Sequence, residues 1–148
     1  MARIRLDLPD NFDFSLVLPI RIYDINYGNH LGNDAVLRMI HEARLQYFRH
    51  HGLRELNTDG IGLVISDAAV VYKSQGFYGD VLTVEMAVRE PNAYGFDVYY
   101  KLSSQETGKE VARAKTGIVF FDYGKNKVTG IPEQFRSAFF PDNTGPNK

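Results

Sequence analysis

The sequence of 148 residues contains no cysteine. That absence excludes a disulfide framework, a thiolate nucleophile and cysteine-ligated zinc, and it fits a reducing compartment. No apolar run approaches the roughly 18 residues that a membrane-spanning helix needs. The opening MARIRLDLPDNFDF is broken by charges and proline where a signal peptide would carry its apolar core. A soluble, cytoplasmic protein is the expectation. A surplus of one charge sign is also missing: 17 Lys and Arg stand against 18 Asp and Glu, a formal charge of −1, so nothing global argues for a nucleic-acid partner. What is present is ordinary for a globular chain, with 44% hydrophobic and 24% charged residues. The length suits a single domain over 1–148 with a sizeable core. No internal repeat or low-complexity segment interrupts it.

The most informative stretch is Arg21 to Arg44, RIYDINYGNHLGNDAVLRMIHEAR. Its first half is crowded with residues that suit turns, namely Asp24, Asn26, Gly28, Asn29, Gly32 and Asn33. Its second half switches to helical spacing. Asn33 reads as the N-cap of a helix opening at Asp34, whose carboxylate complements the positive end of the helix dipole. A polar loop feeding a helix N-terminus offers free N–H groups to an anion or a polarised carbonyl, and His30 sits in that loop.

Around this stretch the pattern is α+β. Residues 1–13 form a lead-in, and Phe14 to Tyr23 reads as a strand whose Pro19 places it at a sheet edge or a bulge. The helix carries Val36, Leu37, Ile40, Ala43, Tyr47 and Phe48 on one face and stops near Gly52. Ile61 to Tyr72 reads as a strand so apolar that a central position is expected. Val81 to Arg89, Tyr94 to Ser103 and Glu110 to Asp122 follow as strands, the last two joined by a Thr107-Gly108 hairpin turn. A polar turn spans Gly124 to Gly130, a short helix follows Pro132, and 141–148 reads as a flexible tail. One long helix followed by antiparallel strands implies a sheet wrapped on the helix. With ten Phe and nine Tyr in the chain, some of the surface left over is expected to be apolar and covered by a second subunit.

Asp24, Asn26, His30 and Asn33, running into a helix that carries Glu42-Ala43-Arg44, resemble the hot-dog-fold thioesterases. The similarity is to the 4-hydroxybenzoyl-CoA thioesterase-like, acyl-CoA and acyl-ACP groups, and Val70 to Leu82 adds to it. The resemblance covers about residues 14–123. It implies a helix wrapped by a curved antiparallel sheet of five or six strands, in homodimers or dimers of dimers that pair edge to edge. It implies active sites at the subunit interface that hydrolyse acyl-CoA or acyl-ACP, with no metal or redox cofactor, CoA entering only as part of the substrate, and neither nucleic acid nor membrane as partner.

One position departs from the family. Many relatives have a carboxylate, acting as nucleophile or general base, where this chain has Asn26. An amide does not take a proton from water at neutral pH. The resemblance to acyl-ACP members implies instead that Asn26 orients substrate or water, that His30 is the base, and that the Asn33 N–H is the oxyanion donor. Plainer readings stand beside these. His30 could bond a backbone carbonyl, and Asp24, a candidate to orient His30, could simply hold the loop. Glu42 fits a solvated or interface carboxylate, and Arg44 a partner for Asp24 or another acid. Asp67, inside an apolar strand, is either a buried base or turned to water. Lys73 and Ser74, with Arg89 and Lys101, are candidate contacts for CoA phosphates or simply solvated. Three functions follow: an acyl thioester hydrolase, a non-catalytic protein that binds acyl-CoA or acyl carrier protein, and an enoyl thioester hydratase or dehydratase.

Overall fold

The long helix forms where apolar residues recur at three- and four-residue spacing. In the computed structural model, which describes residues 2–57 and 59–142, helix α1 spans Asn33–His50 and buries Ala35, Val36, Met39, Ile40, Ala43, Tyr47 and Phe48. Leu37, expected on that face, is exposed, because the next residue after Val36 is rotated about 100° around the axis. Beyond α1 the chain reverses through Gly52, whose φ of +73° suits glycine.

Six antiparallel strands wrap α1 in a curved, unclosed sheet. They are β1 (Phe14–Pro19), β2 (Ile61–Tyr72), β3 (Val81–Arg89), β4 (Gly95–Ser104), β5 (Glu110–Asp122) and β6 (Lys127–Val128). The order is β1-β3-β4-β5-β2, with β6 paired to the end of β5. Helix α2 (Glu133–Phe139) closes one end, where Phe135 packs edge-on against Phe48 and Phe120. Phe96, Tyr100, Ile118 and Phe120 of the sheet share one core with the buried face of α1. This is the hot-dog architecture that the resemblance implies.

Several expectations are corrected. β1 stops at Pro19 rather than Tyr23: Ile20 donates to Asp80 O (2.8 Å) and Ile22–Asp24 coils into a 3-10 turn. The 124–130 turn contains β6. β2 is not central but lies at the sheet edge, with residues 65–68 exposed. An apolar strand shows that its faces want cover, not that the cover comes from its own chain. Asp67 follows a bulge in the β2–β5 pairing, and its side chain is 61% exposed beside Lys115 Nζ at 2.6 Å. It is an exposed ion-pair partner, not a buried acid. Of the expected tail, residues 143–148 lie outside the described residues. Among the described residues no helix is long and apolar enough to cross a membrane.

Candidate active site

The loop before α1 is built by its own side chains. Asp24 is buried (3% exposed). Its Oδ2 accepts the Arg21 N–H at 2.8 Å, and its carbonyl accepts the Gly32 N–H at 2.9 Å. Arg21 and Arg38 stand 3.8 and 3.9 Å from the carboxylate. Asp24 therefore ties together the two ends of the loop. It lines a small hollow of about 180 Å³ with Arg38, Met39 and Glu42, to which His30 does not contribute.

Between those ends the chain makes a tight hairpin in which Ile25 bridges Leu31. Asn26 N–H donates to His30 O (2.9 Å), Asn29 N–H to Asn26 O (3.0 Å), and Gly28 N–H to Asn26 Oδ1 (2.9 Å). Asn29 takes φ +66°, which asparagine tolerates better than most residues. The hairpin is moored to the connection between β2 and β3 by Leu31 N–H on Gly76 O at 2.7 Å. His30 Nδ1 lies 3.3 Å from Leu31 O. A carbonyl only accepts, so this contact selects the tautomer with hydrogen on Nδ1 and leaves the Nε2 lone pair free. A Cβ placed on Gly28 would sit 3.2 Å from both Asn26 Oδ1 and His30 Nε2. Glycine thus leaves the space that the amide and the imidazole share.

The helix start corrects one expectation. Gly32, in extended conformation, is the N-cap, and no side chain caps α1. Asn33 is the first helical residue, because the Gly32 N–H is already fixed on Asp24 and the chain turns helical directly after it. In that open first turn the N–H groups of Asn33 and Asp34 meet no acceptor among the described residues. Asp34 pairs with Arg38 at 3.3 Å. Tyr72, the last residue of β2, donates its hydroxyl to Asn33 O at 2.9 Å. Burial, and then the charge of Asp34, push the Tyr72 hydroxyl above its usual pKa, which keeps it a donor.

These elements enclose a cleft of about 710 Å³ in which Asn26, His30, Asn33, Asp34, Tyr72 and Lys73 meet. Ser74 lines it too, though its hydroxyl is bonded to Glu110 O at 2.7 Å. Of the residues singled out from sequence, Asn26, His30, Asn33, Lys73 and Ser74 line this cleft, whereas Asp24, Arg89 and Lys101 do not. Arg44 is buried and pairs with Glu55 at 2.8 Å rather than Asp24. Glu42 is exposed and accepts from Gln46. Arg89 is paired with Asp13, and Lys101 stands opposite Arg113 in register. Sequence reading missed Tyr72 and Asp34. Tyr72 was legible as the residue before Lys73 and Ser74, since alternation along β2 turns it toward α1. Among the described residues, no three His, Asp or Glu side chains cluster in a way that could hold a metal ion.

A chemically simple site results: an imidazole with a free lone pair, an amide beside it, and an unpaired backbone N–H at a helix start. The family model of the thioesterase-like superfamily matches residues 20–139. A 1,4-dihydroxy-2-naphthoyl-CoA hydrolase from Synechocystis is 26% identical over 105 residues, 69% of this chain and 76% of that protein. The crystal structure of a 1,4-dihydroxy-2-naphthoyl-CoA thioesterase from Synechocystis superposes with a TM-score of 0.81 at 22% identity, covering 90% of this chain and 98% of that one. A gentisyl-coenzyme A thioesterase superposes with a TM-score of 0.76 at 20% identity, covering 85% and 99%.

Proposed function

This chain belongs to the thioesterase-like superfamily, and we propose that it hydrolyses acyl thioesters of CoA at the cleft beside His30. The observation that carries the reading is the contact between His30 Nδ1 and Leu31 O, which leaves Nε2 basic next to Asn26 and to the start of α1. Water bound between Asn26 and His30 attacks the thioester carbonyl. His30 Nε2 takes the proton as the new C–O bond forms, and the Asn33 N–H steadies the oxyanion. One preorganised donor of this kind contributes about 3 kcal/mol. Collapse of the intermediate breaks the C–S bond, and the imidazolium returns its proton to the leaving thiolate. The products are a carboxylic acid and free CoA. The balance closes with water alone and calls for no metal or redox cofactor.

The names of the relatives favour an aromatic acyl group, and Tyr27 and Tyr72 at the cleft give such a ring faces to pack on. A homodimer is part of the proposal. Beyond Leu63, where the preceding loop no longer bridges it, the outer edge of β2 has no neighbouring strand among the described residues and carries an exposed Ile65, and a second copy added there would pair edge to edge and wall the cleft. A second reading rests on Asn26: with an amide in place of the carboxylate common in relatives, the cleft binds an acyl-CoA without turning it over. Free-thiol release from a panel of aromatic and aliphatic acyl-CoAs separates the two. Turnover of any of them supports hydrolysis, and tight binding without release of thiol supports the second reading.

A further inference from the structure

The N-terminal segment crosses the sheet on the side of β5 opposite the buried Ala112 and Ala114. It is held by two arginines. Arg113 Nη1 donates to Leu6 O at 2.9 Å, while its other nitrogens fork onto Glu110 at 2.7 and 2.8 Å. Arg89 Nη2 donates to Asn11 O at 2.9 Å and to Asp13 at 3.2 Å. Between this strap and the end of β2 lies a hollow of about 390 Å³ lined by Arg3, Arg5, Lys73, Arg113 and Asp7.

The charges in the hollow do not cancel. Arg113 is matched by Glu110, and Arg5 reaches Asp7 only at 3.4 Å with both side chains in solvent. Arg3 and Lys73 have no carboxylate at ion-pair distance among the described residues. A chain of formal charge −1 gives no general reason to gather cations here, and their mutual repulsion, screened in part by water at the exposed Arg3 and Arg5, is relieved further by a bound anion. The local field is visible at Glu110, whose carboxyl is held below its usual range first by the Arg113 hydrogen bonds, with Lys73 and Lys101 adding to the effect. Lys73 lines both this hollow and the cleft of His30, so the two spaces meet at one side chain.

We propose that the hollow seats the pyrophosphate and ribose 3′-phosphate of a CoA thioester whose acyl end lies in the cleft. Arg3, Arg5 and Lys73 are the phosphate-binding cations, and Arg113 is a positioning residue that sets the strap through Leu6 O. Guanidinium forks match phosphate geometry and their bonds to it are charge-assisted. This assignment rests on the cleft being a thioester site, and it selects CoA, with its pyrophosphate and terminal nucleotide, over a carrier protein, whose phosphopantetheine arm lacks the nucleotide.

The test uses the full chain and two readouts. Adenosine 3′,5′-bisphosphate is titrated by calorimetry, and kcat/KM is compared for one acyl group carried on CoA and on pantetheine. The expected result is that the bisphosphate binds and that CoA is preferred. The double variant Arg3→Ala/Arg5→Ala weakens bisphosphate binding about tenfold and narrows the preference by a similar factor, as Lys73→Ala does. Arg49→Ala/Arg54→Ala removes the same charge at two exposed positions elsewhere and leaves both readouts unchanged. Absence of bisphosphate binding, or equal behaviour of the two double variants, overturns the proposal. Hydrolysis with no preference for CoA removes the phosphate site and keeps the hydrolase. Bisphosphate binding lost in Arg3→Ala/Arg5→Ala, with no thioester turned over, keeps the phosphate site and removes the hydrolase.

Discussion

The hydroxyl of Tyr72 donates to the carbonyl oxygen of Asn33 at 2.9 Å. That bond joins the end of β2 to the first residue of α1, which lines the cleft and whose N–H is the proposed oxyanion donor. Tyr72→Phe keeps the ring and removes the bond. The expected result is a kcat lowered about threefold to tenfold with KM little changed, and a stability loss of about 1 kcal/mol. Steady-state kinetics with a thermal melt checks both, and a change in KM alone would speak against the positioning role.

Gly28 guards the space between Asn26 and His30. A methyl group there would lie 3.2 Å from Asn26 Oδ1 and from His30 Nε2, closer than either contact comfortably allows. Gly28→Ala is expected to lower kcat about tenfold or more by displacing the imidazole. Because residue 28 is exposed, the melting temperature should hardly move. Unchanged kcat would mean that the two side chains need no fixed spacing.

Arg44 is buried and depends on Glu55 at 2.8 Å, with Tyr100 hydroxyl at 3.3 Å as its remaining partner. Glu55→Ala leaves a buried guanidinium without its counter-charge. Glu55 keeps some solvent contact, so the cost is set at the low end for such pairs, about 2–3 kcal/mol, or roughly 4–10 °C in melting temperature for a chain of this size. Arg44→Met combined with Glu55→Leu should recover most of that loss in the same melt.

The strap responds to acid through Glu110. Its folded pKa lies below the ordinary value of 4.5, with the Arg113 hydrogen bonds the foremost cause, so the folded state binds fewer protons than the unfolded one. The stabilisation is fully present above about pH 4.5 and is lost as pH falls through the lower, folded value. Urea midpoints measured across that range should drop less steeply in Glu110→Gln than in wild type. Parallel pH profiles would show that the Arg113–Glu110 fork contributes nothing measurable.

The architecture was legible wherever local pattern and tertiary role agree. β3 and β5 lie where alternation and turn signals place them, and α1 follows its apolar spacing. Pattern failed where the deciding fact was a neighbour. β2 reads as central because it is apolar, yet it lies at the edge, since apolar composition does not identify which chain supplies the cover. Asn33 has the composition of a cap, but the bond from Gly32 N–H to Asp24 O, made between residues eight apart, moves the cap to Gly32. Asp67 was open between burial and solvent from its apolar flanks, and next to a bulge it lies exposed beside Lys115. At the site, the crowding of loop-forming residues marked the stretch, and it was the resemblance to the thioesterases that singled out Asn26, His30 and Asn33 within it. That Asp24 and His30 line different hollows was hidden, because it depends on how the loop folds and not on how near the two lie in sequence.

The most direct measurement is kcat/KM for aromatic acyl-CoA hydrolysis by wild type, His30→Ala and Asn26→Asp under the same conditions. With His30 as the base, wild type turns over and His30→Ala falls by a factor of about 10² or more. A wild type inert toward every thioester, together with activity gained in Asn26→Asp, would contradict this account and make the protein an acyl-CoA binder whose cleft lacks its carboxylate.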